Sequence, residues 1–313
     1  MSLEQEYKNW PLVSEDLALQ TAVGVSLKAG KILRSAFYKG VETHLYEDRS
    51  NYTEFDGMVE NLAKGVIRRL QPGSKIMGEE YSKDEDISGK DFWTVDGVDG
   101  TTNFANGIDT FNFTTAQVVN GETRVAVVYD PIRRKCYYAA EGERAYCNGQ
   151  PIHVSNRPFG ECLLSFAPLR DVRKGRGYYE RELVEALWAG MEKITKESGR
   201  FHRELQSGGL ELSYVASGIL DGYASSWTSP YDLAPGAFIA RRAGAIVTNM
   251  QGKEWHPMIE EATPGSGEKK WRPNYWGVIA GNPIVQPEML EILQKYFEKE
   301  LYNQHGLKIA DIA

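Results

Sequence analysis

The segment Asp96-Gly97-Val98-Asp99-Gly100-Thr101-Thr102-Asn103-Phe104 holds the residues most able to do chemistry. Its two carboxylates stand three residues apart on one turn and can face a common point. Like charges that close raise one another's pKa unless a cation lies between them. A hard divalent ion with oxygen ligands, magnesium foremost, resolves the conflict. Two glycines permit a tight turn, and Thr101-Thr102 can open a helix whose first N–H groups make an anion site. A metal site against an anion site is what hydrolysis of a phosphate ester requires. The cation neutralises charge and activates water, while the N–H groups hold the phosphoryl oxygens.

Taken alone, Asp-x-x-Asp-Gly is also an ordinary turn, because Asp and Gly favour turns for local reasons. Three further acidic stations strengthen the functional reading. Gly78-Glu79-Glu80 ends a short apolar run, Asp56 falls in the first turn of a helix, and Asp232 opens another. Each has a plain alternative. Thr53-x-x-Asp56 fits a capping box, an acid in a first turn complements the helix dipole, and Glu79 and Glu80 fit two solvated surface acids.

Elements must bring these stations together. Leu17, Ala18, Ala22, Val25, Ala29, Ile32 and Leu33 recur at helical spacing between Glu15 and Phe37. A second helix is expected over Glu54 to Leu70, with Met58, Leu62, Val66 and Leu70 as its apolar stripe. Lys75 to Met77 and Phe92 to Val95 read as buried strands. Phe111 to Val119, Thr123 to Tyr129 and Lys135 to Ala140 are rich in β-branched and aromatic residues, with turn signals at Asn120-Gly121 and Asn148-Gly149.

The second half alternates instead. Helices are expected at Tyr178 to Lys193, Leu210 to Ser217, Asp232 to Ala243 and Gln286 to Leu301, with strands at Leu220 to Ala224, Ala245 to Thr248 and Trp276 to Ala280. Pro257 to Pro273 reads as a charged loop. The pattern is an α/β mixture. It is read as one catalytic domain over 1–313, with halves at about 1–155 and 156–313.

The 313-residue chain, 42% hydrophobic and 25% charged, has the composition of a folded protein. Its formal charge of −7 argues against a nucleic-acid partner, though not against an anionic substrate, since bound cations reverse the local field. No apolar run is long enough to span a bilayer, and Met1 to Pro11 lacks the apolar core of a secretory signal. The three cysteines, Cys136, Cys147 and Cys162, lack metal-site spacing and read as free thiols of a cytoplasmic protein.

Trp93 to Phe104 resembles the first signature of the inositol monophosphatase family. Tyr231-Asp232-Leu233-Ala234-Pro235-Gly236, followed by Arg242-Ala243-Gly244-Ala245, resembles its second. Gly78-Glu79-Glu80 and the Thr53 to Asp56 turn fall where the family has acids, so the likeness runs from about Asp16 to the final helix. It implies a layered αβαβα sandwich, commonly a homodimer, that hydrolyses a small phosphate ester. Glu79, Asp96 and the Val98 carbonyl would hold a first magnesium ion. Asp96, Asp99 and Asp232 would share a second, and Asp56 would support a third, weaker one. Thr101, paired with Glu79, would orient and deprotonate the attacking water. The N–H groups of Gly100, Thr101 and Thr102 would cradle the phosphate, with Ser207, Gly208, Ser225 and Asp232 on the substrate side. Lithium sensitivity is implied as well.

Two departures stand out. The family's usual proline after the first aspartate is Gly97 here. Inositol-specific members carry a glutamate seven residues before the final aspartate, and that position is Ser225, in a loop without any acid. This weakens the case for myo-inositol phosphate in particular. Glu211 either replaces the missing acid or is a buried helix residue. Inositol phosphate, sugar bisphosphates such as fructose 1,6-bisphosphate, histidinol phosphate and 3'-phosphonucleotides all stay open as substrates. Arg170, Arg173, Lys174 and Arg176 either serve a second phosphate or form a solvated loop. A non-catalytic, metal- or phosphate-binding member is the alternative function. A nuclease is disfavoured, because a polynucleotide needs a groove of basic and aromatic residues and Lys269, Lys270, Trp271 and Arg272 are the only compact candidate for one.

Overall fold

The structure is a computed structural model that describes residues 7–13, 15–45, 51–81, 90–167, 181–198, 200–226, 229–262, 269–274 and 277–305. The first long helix, α1 (Leu17–Lys39), starts at Asp16, whose side chain accepts from the N–H groups of Ala18 and Leu19, and it ends at Gly40 with φ 84°. The second, α2 (Glu54–Leu70), carries the Thr53/Asp56 capping box.

A seven-stranded sheet follows: β1 (Ile76–Gly78), β2 (Phe92–Asp99), β3 (Asn112–Val119), β4 (Glu122–Asp130), β5 (Lys135–Ala140), β6 (Ala145–Cys147) and β7 (Gln150–Pro151), in that spatial order. Only the β1–β2 pairing is parallel. The short helix α3 (Thr101–Ala105) joins β2 to β3. Asn120-Gly121 and Asn148-Gly149 make two-residue turns with all four φ angles positive, the geometry that suits the twist of a hairpin.

The second half contributes β8 (Leu164–Ala167), α4 (Arg181–Ser198), α5 (Gly208–Ala216), β9 (Gly222–Ser225), α6 (Pro230–Arg242), β10 (Ile246–Thr248), β13 (Ile279–Gly281) and α7 (Val285–His305). Its sheet has the order β8-β9-β13-β10 and mixes one parallel with two antiparallel pairings. A separate ribbon pairs β11 (Met258–Ala262) with β12 (Lys269–Pro273).

Side-chain alternation stacks these elements into five layers. Along β4, Val125, Val127 and Tyr129 face the α1/α2 side, while Ala126 and Val128 face α5 and α6. Tyr223 of β9 and Ala280 of β13 also meet the α5/α6 layer, whereas Ala224 and Ile279 point the other way, into α4 and α7. The order is therefore helices, sheet, helices, sheet, helices, the αβαβα sandwich. Both faces of each sheet are covered, which is why its strands read as near-continuous apolar runs. Close approach between layers needs small residues. At Gly30 of α1, a Cβ would lie 2.0 Å from the Tyr129 ring.

Two expectations need correction, and one strand is new. The α2 stripe is rotated: Met58 and Leu70 are 47% and 43% exposed, and the buried face is Asp56, Gly57, Val59, Glu60, Ala63, Val66 and Ile67. Large apolar residues drew the stripe to the wrong side, because this helix turns two carboxylates and a glycine inward. Within Pro257 to Pro273, the expected loop is instead the β11/β12 ribbon. Its register sets Glu261 opposite Lys270, and Met258 packs with Met77, Phe92, Val118 and Tyr231. Strand β8 escaped sequence reading altogether.

The first residues of the expected Tyr178 helix, Trp276 of the expected last strand, and Arg170, Arg173, Lys174 and Arg176 lie outside the described residues. Cys136, Cys147 and Cys162 are free thiols. Among the described residues, no helix is long and apolar enough to cross a membrane.

Candidate metal centre

Strand β2 is buried along its whole length and delivers Asp96 to the middle of the molecule. Parallel pairing sets Gly78 beside Val95, so Glu79 leaves β1 next to Asp96. Between Asp96 and Asp99 the register with β3 slips by one residue: Asp96 opposes Thr114, yet Asp99 opposes Asn112. Such a bulge re-aims side chains that strict alternation would send to opposite or unsuitable directions. Asp232 arrives from the first turn of α6, with Pro230 at the helix start.

One carboxylate oxygen each from Glu79, Asp96 and Asp232 converges, all within 4.8 Å of one another. Burial, then the charges of Glu79, Asp232 and Asp99, hold the Asp96 carboxyl well above the usual range. Burial and the Glu79 charge do the same to Asp232. Three converging anionic oxygens fit a hard divalent cation, which would remove this repulsion.

Asp99 is turned to α5. Its carboxylate accepts from Asn112 Nδ2 at 2.6 Å, Gly209 N at 2.8 Å, Gly208 N at 3.2 Å and Ser207 Oγ at 3.3 Å. These donors oppose the burial that otherwise lifts its pKa, leaving it at about 6. Ser207 and Gly208, expected on the substrate side, thus hold a carboxylate of the chain itself. Asn112, which sequence reading missed, also donates to Ser207 Oγ at 2.9 Å.

The Asp96 carboxylate accepts from Val98 N at 2.9 Å. The Val98 carbonyl, 2.8 Å from Thr101 Oγ1, faces that hydroxyl. The Thr101 hydroxyl lies between Val98 O and Asp56 Oδ1, the latter at 2.9 Å. The other Asp56 oxygen takes Thr53 N at 2.9 Å and Thr53 Oγ1 at 2.6 Å. Asp56 is therefore at once the N-terminal cap partner of α2 and the partner of Thr101. Burial raises its pKa against the pull of those hydrogen bonds.

Gly100 takes φ 94° at the start of α3, a left-handed conformation that glycine alone adopts without strain. A Cβ there would crowd Thr110 O at 3.1 Å and Gln206 O at 3.3 Å. Thr101 and Thr102 then form the first turn of α3, directly after the Asp96–Asp99 bulge.

Of the specificity candidates, Ser225 is buried at the end of β9 and its hydroxyl accepts from Val278 N at 3.3 Å. Glu211 is fully buried and accepts from Ser165 Oγ, Leu205 N and Ser207 N, so of its two readings the buried helix residue is the one found. Burial pushes its pKa up to about 7. Trp271 lies beneath the Lys90 ammonium, 3.6 Å from the ring centre, and packs on the β11 cluster.

Glu60 was also missed. It is fully buried on α2, one turn beyond Asp56, and its two oxygens accept from Glu80 N at 2.7 Å and Tyr81 N at 3.0 Å. The available signal was a second acid at i+4 from Asp56, a spacing that puts both carboxylates on one helix face at a small cost in repulsion.

The sequence profile of the inositol monophosphatase family matches residues 15–301. A Nus factor SuhB of Pasteurella multocida is 32% identical over 242 residues, covering 75% of this chain and 85% of that protein. A fructose-1,6-bisphosphatase/inositol-1-monophosphatase of Thermotoga maritima is 34% identical over 203 residues, 64% of this chain and 72% of its own. Among solved structures, a Thermotoga maritima IMPase superposes with a TM-score of 0.71 at 26% identity, over 88% of this chain and 96% of that one. The extragenic suppressor protein suhB of Bartonella henselae gives 0.74 at 23% identity over 90% and 99%, a likeness of fold.

Proposed function

This chain belongs to the inositol monophosphatase family, and from that premise we propose that it is a magnesium-dependent phosphomonoesterase acting on a small phosphorylated metabolite. The observation that carries the reading is the convergence of Glu79, Asp96 and Asp232 oxygens within 4.8 Å, immediately before a left-handed Gly100 and a helix start.

In this reading Glu79, Asp96, Asp99, Asp232 and the Val98 carbonyl hold two magnesium ions, with Asp56 supporting a third. When bound, magnesium supplies positive charge for the phosphoryl oxygens and makes water a better nucleophile at neutral pH. The chain's own groups do the rest. The N–H groups of Gly100, Thr101 and Thr102 bind the phosphoryl oxygens as charge builds on them. The Thr101 hydroxyl, already donating toward Asp56, has a lone pair free to accept a proton from water while it passes its own to the Asp56 carboxylate. Attack in line with the ester oxygen then needs no covalent phosphoenzyme.

On the leaving-group side, the Ser225 hydroxyl accepts from Val278 N, and Glu211 is buried within the protein. No carboxylate is offered at the position where inositol-specific members carry a glutamate, which favours phosphate esters other than those of myo-inositol. A homodimer, a cytoplasmic location and inhibition by lithium belong to the same proposal, carried from the family.

Phosphate release from a panel of metabolite monoesters and bisphosphates, with magnesium or with chelator, tests it. Magnesium-dependent turnover favouring one compound supports the enzyme and names its substrate. The SuhB relatives, named as Nus factors, motivate the alternative of a metal-binding member acting through protein contacts. Magnesium binding without turnover on any ester would favour that alternative.

A further inference from the structure

We propose that Glu60 is a positioning residue for the metal centre, gripping the backbone that carries Glu79. The inference rests on the phosphatase reading above, because it gives that backbone its purpose.

Glu60 lies on the inward face of α2, at i+4 from Asp56, so both carboxylates leave the helix on one side. Asp56 reaches Thr101, which follows β2. Glu60 reaches the end of β1, where one oxygen accepts from Glu80 N and the other from Tyr81 N. One helix face therefore holds two of the three chain segments that bring carboxylates to the centre, those of Glu79 and Asp96. The contact is built on both sides. A Cβ on Gly78 would lie 2.4 Å from Glu60 Oε1 and 2.9 Å from Oε2, so residue 78 must lack a side chain for the carboxylate to lie against the strand end. Glu79 sits between Gly78 and the two gripped amides, and its backbone is fixed from both directions.

A glutamate suits this task by shape and charge. Two adjacent N–H groups each meet one oxygen of an anion, whereas glutamine would turn an NH2 group toward one of them and aspartate would fall one methylene short. Groups that orient a metal ligand without touching the metal typically change affinity or activity about ten- to a hundredfold when removed.

The test uses the full chain, stripped with chelator, with Glu60→Gln and Gly78→Ala as variants that attack the contact from opposite sides. Magnesium binding is read by calorimetry, thermal midpoint is read in chelator, and turnover is read across magnesium concentration. The expected result is a half-saturating magnesium concentration raised about ten- to a hundredfold in both variants, with kcat returning toward the wild-type value at saturating magnesium. In the wild-type chain, the Glu80 and Tyr81 amides should be protected from hydrogen exchange without magnesium. Unprotected amides, or variants that bind magnesium like the wild type, would overturn the proposal. So would turnover that added magnesium does not restore, since that marks a structural role alone. A wild-type chain that binds no magnesium overturns the phosphatase reading together with this one, whereas unchanged variants beside a magnesium-binding wild type overturn this one alone.

Discussion

Thr101 Oγ1 lies 2.9 Å from Asp56 Oδ1, joining the start of α3 to the start of α2 across 45 residues of sequence. The same hydroxyl is 2.8 Å from Val98 O, so its single proton has two acceptors. Thr101→Val keeps the shape and removes the hydroxyl. It should lower kcat about 10²- to 10⁴-fold, the range for losing a positioned proton acceptor, while magnesium affinity stays near that of the wild type. Steady-state kinetics beside calorimetry checks both halves.

Asp96→Asn should abolish turnover and leave the fold intact. An amide cannot neutralise cations as a carboxylate does. In chelator at neutral pH the variant should melt above the wild type, because an amide needs none of the proton uptake that burial and the neighbouring acids impose on the Asp96 carboxyl. Near-normal phosphate release by this variant would refute the assigned centre.

Gly97 stands where the family usually has proline. Its reason here is the α2 start: a Cβ at 97 would lie 2.4 Å from the Asp56 carbonyl oxygen. Gly97→Ala should therefore cost about 1–3 kcal/mol by overpacking, seen as a lower midpoint in thermal or urea unfolding. An alanine variant as stable as the wild type would show that the approach relaxes freely.

The Glu211 carboxyl titrates at about 7, above its ordinary value of 4.5, because burial disfavours its charged form. Between those two pH values the native state holds a proton that the unfolded chain has released. Stability consequently falls as pH rises through this window, by up to about 3 kcal/mol from this group. Glu211→Gln should flatten the decline, measured as thermal midpoint in chelator from pH 5 to pH 8. A decline as steep as in the wild type would assign it to other groups.

Much of the fold was legible in residue order. The α2 boundaries, the hairpin turns at Asn120-Gly121 and Asn148-Gly149, and strand β5 follow from local chemistry: capping, positive φ and β-branched runs act within a few residues. The α2 face was not legible, because burial of Asp56 and Glu60 is imposed by groups outside the helix. The ribbon at Met258 was hidden for a related reason. Its charges suggested solvent, and its anchoring contacts with Met77, Phe92 and Tyr231 come from distant parts of the chain.

By itself the sequence determined the family, through its signatures and the layered class they imply, and an α/β mixture through periodicity, since both are written in neighbouring residues. Tertiary structure alone decided which acids meet. It joined Glu79, Asp96 and Asp232, turned Asp99 to the start of α5, set Thr101 against Asp56, and buried Glu211 inside. The physical reason is that hydrogen bonds and repulsion between charges depend on separations of a few ångströms, and here packing five layers together sets them.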